Sequence, residues 1–277
     1  MPSPLPPIPP VASIDQVVDT IQGIVDWSIA NESRLGYFAA LYKRITIAIR
    51  TGISNHVFDD GPRMERFDVT FASRYFAALN AYFHPEQFSS LSECWKVAFN
   101  GALLPAPIIV QQMVAGVNAH IDLDLGIAAE AVAPGPLLPT LHHDFNTVNA
   151  VLASQVSTVV QEINSLSPVL ADIYNVLMNH ELDLIADGLV VVRDSAWHFA
   201  TVLASKPGFL DPTIISLHDL KVAGLGKLIL NPPGLLLSHL VEVIGAAESR
   251  DIVKNIQTLD VVANVPAPMT KTAAAKI

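Results

Sequence analysis

The segment Asn118-Ala119-His120-Ile121-Asp122-Leu123-Asp124-Leu125 ends the longest uncharged stretch of the chain with an imidazole and two carboxylates. On a helix, His120 and Asp124 stand four residues apart and share a face. The stripe through them reads Met113, Val117, His120, Asp124, Ile127 and Ala131, which are positions for core side chains. An ionisable group buried alone is costly, so each needs a partner, a metal or water. Such a pair can act as an acid and base, or as two ligands of a divalent ion.

Three other clusters carry similar chemistry. His180, Asp183 and Asp187 are spaced by three and four residues. His142-His143-Asp144 follows, with Asp144 on the stripe Leu141, Asp144, Val148, Val151. Arg193 and Trp197 again stand four apart. Imidazole and carboxylate groups projecting inward from neighbouring helices are how helical bundles build divalent-metal sites. Each cluster also has a structural explanation. Arg74 with Asp124, or Arg193 with Asp187, could be a buried ion pair. Asp144 and Asn149 could cap or bridge helices, Trp197 could be core, and His180 and Asp183 could face solvent. Phe58-Asp59-Asp60-Gly61-Pro62-Arg63-Met64-Glu65 places acids before a helix start, where the helix dipole favours them without a functional reason.

The elements that must position these groups are helices. Residues 1–12 hold six prolines and read as an extended arm. Ser13 and Gln16 form a capping box opening a helix to about Asn31. Apolar periodicity then predicts helices over 34–53, 64–83, 90–101, 108–131 (after a proline break), 138–166, 168–188 and 189–205. Two or three shorter helices follow over 212–256, broken at Asn231-Pro232-Pro233-Gly234, and 257–277 read as a loose tail. The expectation is an all-α fold, one irregular bundle of about eight to eleven helices, with no internal repeat.

Apolar residues make up 51% and charged ones 15%, well under the usual quarter, so a large core, an apolar cavity or an oligomer interface is expected. A net charge of −10 without a basic cluster argues against nucleic acid. Cys94 stands alone, which excludes an intramolecular disulfide and fits a small buried side chain. No leader pattern precedes Arg34, and Val97–Ala119 reads as a buried helix rather than a membrane span. A cytoplasmic, intracellular protein is expected. Ala275-Lys276-Ile277 is similar to a relaxed peroxisomal tripeptide. Phosphate loops, nucleophile elbows and H-E-x-x-H are absent from the sequence.

The order His120, then His143-Asp144, then Asp183 or Asp187 loosely resembles the metal-dependent phosphohydrolases of the HD type. That resemblance implies those residues as metal ligands and Arg193 as an anion-binding group. A second resemblance covers roughly residues 15 to 205. Asn118-Ala119-His120-Ile121…Asp124-Leu125, Asp144-Phe145…Val148-Asn149 and Arg193…Ala196-Trp197 together resemble an uncharacterised domain-of-unknown-function family of bacteria and fungi. It implies an all-helical fold and attention on Asn118, His120, Asp124, Asp144, Asn149, Arg193 and Trp197.

The expectation is therefore a small-molecule enzyme with an apolar interhelical pocket. His120, Asp124, Asp144 and Arg193 would be catalytic, and Asn118, Asn149, Trp197 and Arg74 would bind substrate. One divalent metal on His120, Asp124, Asp144 and Asp187 would hydrolyse an ester or phosphoester. The alternative is a metal-free binding protein or cyclase-type enzyme acting by shape and hydrogen bonding. A small apolar or amphipathic molecule and a second copy of the chain are the expected partners.

Overall fold

A computed structural model describes residues 3–89, 91–170, 172 and 181–265. Ser13 caps the first helix by accepting from the Gln16 N–H, so α1 spans Ile14–Ala30. α2 (Leu35–Ser54) packs antiparallel against it through a short turn. Asp60 accepts from the Arg63 N–H and opens α3 (Gly61–Phe83), three residues earlier than the periodicity predicts. Pro62 is tolerated there because a first-turn N–H has no helical partner. α4 spans Glu93–Ala102, with Ser92 as its N-cap residue. The predicted cap at Ser90 lies outside the described residues.

The predicted central helix is in fact three pieces. α5 (Ile109–Val117) passes into a π-helical segment, Asn118–Leu125, and then into α6 (Gly126–Val132). Seven of the eight π residues are buried. Glycines flank the segment because there is no room for a Cβ. One at Gly116 would lie 2.5 Å from the Phe38 ring, and one at Gly126 would lie 2.7 Å from the Ala196 carbonyl oxygen. This stretch is the axis of the bundle, contacting α2, α3, α4 and the helices that follow.

α7 (Leu138–Leu166) is followed by α8 (Glu181–Ala204), which continues through Gly188 where a boundary between two helices was expected. α9 (Asp211–Leu230), α10 (Leu235–Ala247) and α11 (Ile252–Ala263) complete the chain. The architecture is all-α and a single domain, with eleven α-helices and no strand among the described residues. Leu259 and Ala263 are buried, so helix continues into the region expected to be loose tail. Residues 266–277, with the terminal tripeptide, lie outside the described residues, as does His180.

The proline-rich arm is extended, as expected, but it is strapped to the body. Its Leu5 is buried, the Leu5 carbonyl accepts from His84, and Asn80 exchanges two hydrogen bonds with the Ile8 backbone. At the other end, buried Lys43 bonds Asp260 and Gln22, tying α11 onto α1 and α2. Among the described residues no single helix is long and apolar enough to cross a membrane.

Candidate functional site

The π segment delivers His120 and Asp124 into the centre of the bundle, where they are 2% and 1% exposed. The Nδ1 of His120 lies 3.3 Å from Asp124 Oδ2. Arg74 on α3 donates its Nε to Asp124 Oδ1 at 2.6 Å, and Trp95 on α4 donates its indole N–H to Oδ2 at 2.8 Å. Burial alone would raise the Asp124 pKa, but Arg74, His120 and Trp95 outweigh it and hold the group below the ordinary carboxylate value. Asp124 is therefore ionised. Burial lowers the His120 pKa against the opposing pull of Asp124, so the ring is neutral.

These two states fix the tautomer. An ionised Asp124 only accepts, so the His120 proton sits on Nδ1 and Nε2 carries a lone pair. That Nε2 is buried and has no hydrogen-bond partner. Around it is a cage of aromatic rings. Phe71 stacks on the imidazole with centroids 3.6 Å apart, Tyr42 meets it edge to face at 4.6 Å, and Phe38, Trp95 and Tyr75 close the remaining sides.

Two more buried polar atoms in this neighbourhood lack partners: the Tyr42 hydroxyl and Asp68 Oδ2. Asp68 precedes Phe71 by one turn of α3, and its charge is the strongest acting on the Tyr42 hydroxyl. Burial, with help from Glu65, pushes the Asp68 carboxyl up to about 7. Sequence reasoning missed Asp68 as a site residue. Met64, Asp68, Phe71 and Tyr75 form an apolar stripe with one acid, the same signal that picked out His120. Nothing marked Trp95, which comes from a short helix far along the chain.

The other expected site residues lie elsewhere. Asp144 is fully buried and spends both oxygens on the loop before α3: Oδ1 accepts from the Asp59 N–H at 2.7 Å, and Oδ2 accepts from the Asp60 N–H at 3.1 Å and Arg63 at 3.0 Å. It is a latch for the α3 start, not a third group at His120. Arg193 is buried between α7 and α8, donating to Asn149 Oδ1 and the Phe145 carbonyl, both at 2.6 Å, and stacking over the Phe145 ring. Burial lowers its pKa to about 9. With Asn149 it locks two helices together. Asp187 is exposed and His143 is 77% exposed at its side chain, pairing loosely with Asp59, so neither joins His120, and the Asp183 side chain lies outside the described residues. Trp197 is half-buried between His142 and Phe145 and lines an open cleft of 530 Å³.

Among the described residues no group of three or more His, Cys, Asp or Glu side chains is placed to hold a metal. The chemistry of the donors gives the reason. Asp124 is occupied by Arg74 and Trp95, and Asp144 by its loop, so of the three buried members of the expected set only His120 Nε2 is open, while Asp187 is exposed on α8. Asn118 anchors the π segment by donating to the Val222 carbonyl at 3.0 Å. His218 does the same from α9, donating to the Asp122 carbonyl at 2.8 Å. The Arg74 side chain is 34% exposed and is the only member of the His120–Asp124–Trp95–Arg74 group that reaches solvent.

The chain belongs to a family of unknown function (DUF5995), matching it over residues 14–232, from the start of α1 to just past α9. The match contains every residue of the His120 cage. No curated protein matches the chain, and no solved structure does.

Proposed function

We propose that the protein is a metal-free acid–base enzyme acting on a small apolar carbonyl compound, with His120 as the base. The single observation carrying this reading is the buried Nε2 of His120, which has a lone pair and no partner while Asp124 holds the opposite nitrogen. A carboxylate that fixes the tautomer and steadies the imidazolium as it forms is the arrangement used by histidine bases. The aromatic cage provides a dry environment in which an apolar molecule replaces ring contacts. Tyr42 and a protonated Asp68 are neutral donors suited to a carbonyl oxygen that gains negative charge. Proton abstraction beside a carbonyl and attack of a base-activated water on an ester are both open to this set. No described cavity is lined by His120, so admitting a molecule requires a movement, and Arg74, the member of the group that reaches solvent, is the side chain that would swing off Asp124.

The test uses a panel of apolar ketones in deuterated water, with exchange of the hydrogens beside the carbonyl followed by NMR. The wild-type chain should catalyse exchange for at least one ketone, and His120→Phe should slow it by about 100-fold or more. Equal exchange by both proteins would contradict the assignment of the base.

A further inference from the structure

The second half of the chain turns apolar side chains outward. On α9, Leu217 is 66% exposed, Leu220 57%, Leu225 46% and Leu228 52%. At the corner before α10, Leu235 is 92% and Leu236 81% exposed. Leu103 and Leu104 are also exposed and leave α4 beside this corner, because Gly101 sits directly against Leu230. An apolar tip of this kind on a protein surface marks a site that something covers.

The charges nearby indicate what covers it. From residue 212 to 241 the only acid is Asp219, and it is buried, accepting the Glu93 and Cys94 N–H groups at the start of α4. The exposed full charges of this stretch are Lys221 and Lys227, on the same helix as the leucines. Between Asp211 at the start of α9 and the exposed Glu242 on α10, a chain of net charge −10 thus carries an apolar face whose exposed full charges are both cationic. The geometry of these helices suits contact with a surface better than a crossing. α9 and α10 are bent by 64° to each other, while Val222, Ala223 and Gly226 of α9 are buried in the body of the bundle.

We propose that α9 and the α9–α10 corner dock on an anionic lipid surface. The corner leucines enter the headgroup boundary, and Lys221 and Lys227 meet the phosphates and carboxylates. Leucine burial gives the affinity and the lysines give the preference for negative lipid. This inference is independent of the reading of His120.

The test is flotation of the full chain with phosphatidylcholine vesicles, with and without phosphatidylserine. The wild type should float with the mixed vesicles and far less with phosphatidylcholine alone. The Leu235→Ser/Leu236→Ser double variant changes only exposed side chains and should keep its circular dichroism and melting temperature. It should lose binding by roughly tenfold or more. Lys221→Gln/Lys227→Gln should cut binding to the anionic vesicles by roughly fivefold per lysine. No flotation of the wild type would overturn the proposal, as would flotation that the leucine changes leave untouched. A dimer in solution that the leucine changes dissociate, without lipid binding, would assign the face to a second copy of the chain.

Discussion

At Asp144 both carboxylate oxygens are taken, by two backbone N–H groups and an arginine, and the group holds a loop in place. At His120 one ring nitrogen is taken and the other is left bare inside a ring of aromatics. Both residues sit on apolar helical stripes, and both are almost completely buried. Burial of a polar group is thus a poor guide to function on its own. What separates the Asp144 carboxylate from the His120 ring is hydrogen-bonding capacity that the ring alone has left over after the fold is complete. Asp219 and Glu248 belong with Asp144. Asp219 caps the start of α4, and Glu248 accepts from the Ile109 N–H and the Ser167 hydroxyl at the start of α5.

The two regions respond oppositely to substitution. Asp144→Ala strands two backbone donors and Arg63, and should lower stability in urea denaturation by about 3–5 kcal/mol. A loss under about 1 kcal/mol would mean that water replaces the carboxylate there and that the latch is weak.

Asp68 gives the next largest effect, with a reversed sign. Its folded pKa of about 7 is above the ordinary 3.8, so between those values the folded state binds more protons than the unfolded one. Its contribution is fully present below the unfolded value and is lost as pH rises through about 7. Asp68→Asn, which cannot ionise, should therefore be more stable than wild type at about pH 8, by on the order of 2–4 kcal/mol. The advantage should vanish on approaching about pH 4. A constant difference across that range would show that Asp68 is not held neutral by burial.

The smallest stability change belongs to the residue with the largest functional one. His120→Phe removes a long hydrogen bond and an unpaired nitrogen from an aromatic cage, so unfolding free energy should move by no more than about 1 kcal/mol. A loss as large as that of Asp144→Ala would place His120 among the structural groups.

Much of this was legible in the sequence, for physical reasons. A 3.6-residue period and a handful of caps are local properties, and Ser13 acts where its chemistry dictates, whereas Pro62 read as part of a loop and stands in the first turn of α3. The His120–Asp124 pair was visible because four residues bring side chains together on either a regular or a π-helical turn. The Arg74–Asp124 ion pair was among the open alternatives and is formed. The π segment itself left no periodic trace, since it depends on neighbours packed against Gly116 and Gly126 from distant parts of the chain. Asp144 was grouped with His120 because sequence spacing gives a face of a helix but not the partner across it. That partner, the loop before α3, lies more than eighty residues away. Gly188 read as a helix boundary, yet α8 runs through it, because one glycine costs a helix only about 1 kcal/mol and does not by itself end it.

The central claim is that His120 is a neutral, oriented base with a bare Nε2. Nitrogen NMR of the histidine side chains, assigned with His120→Phe, reads this directly. The account predicts a ring protonated on Nδ1 alone at neutral pH, with a titration midpoint below the ordinary histidine value. A ring that carries its proton on Nε2, or that titrates at or above the ordinary histidine value of about 6.5, would contradict it.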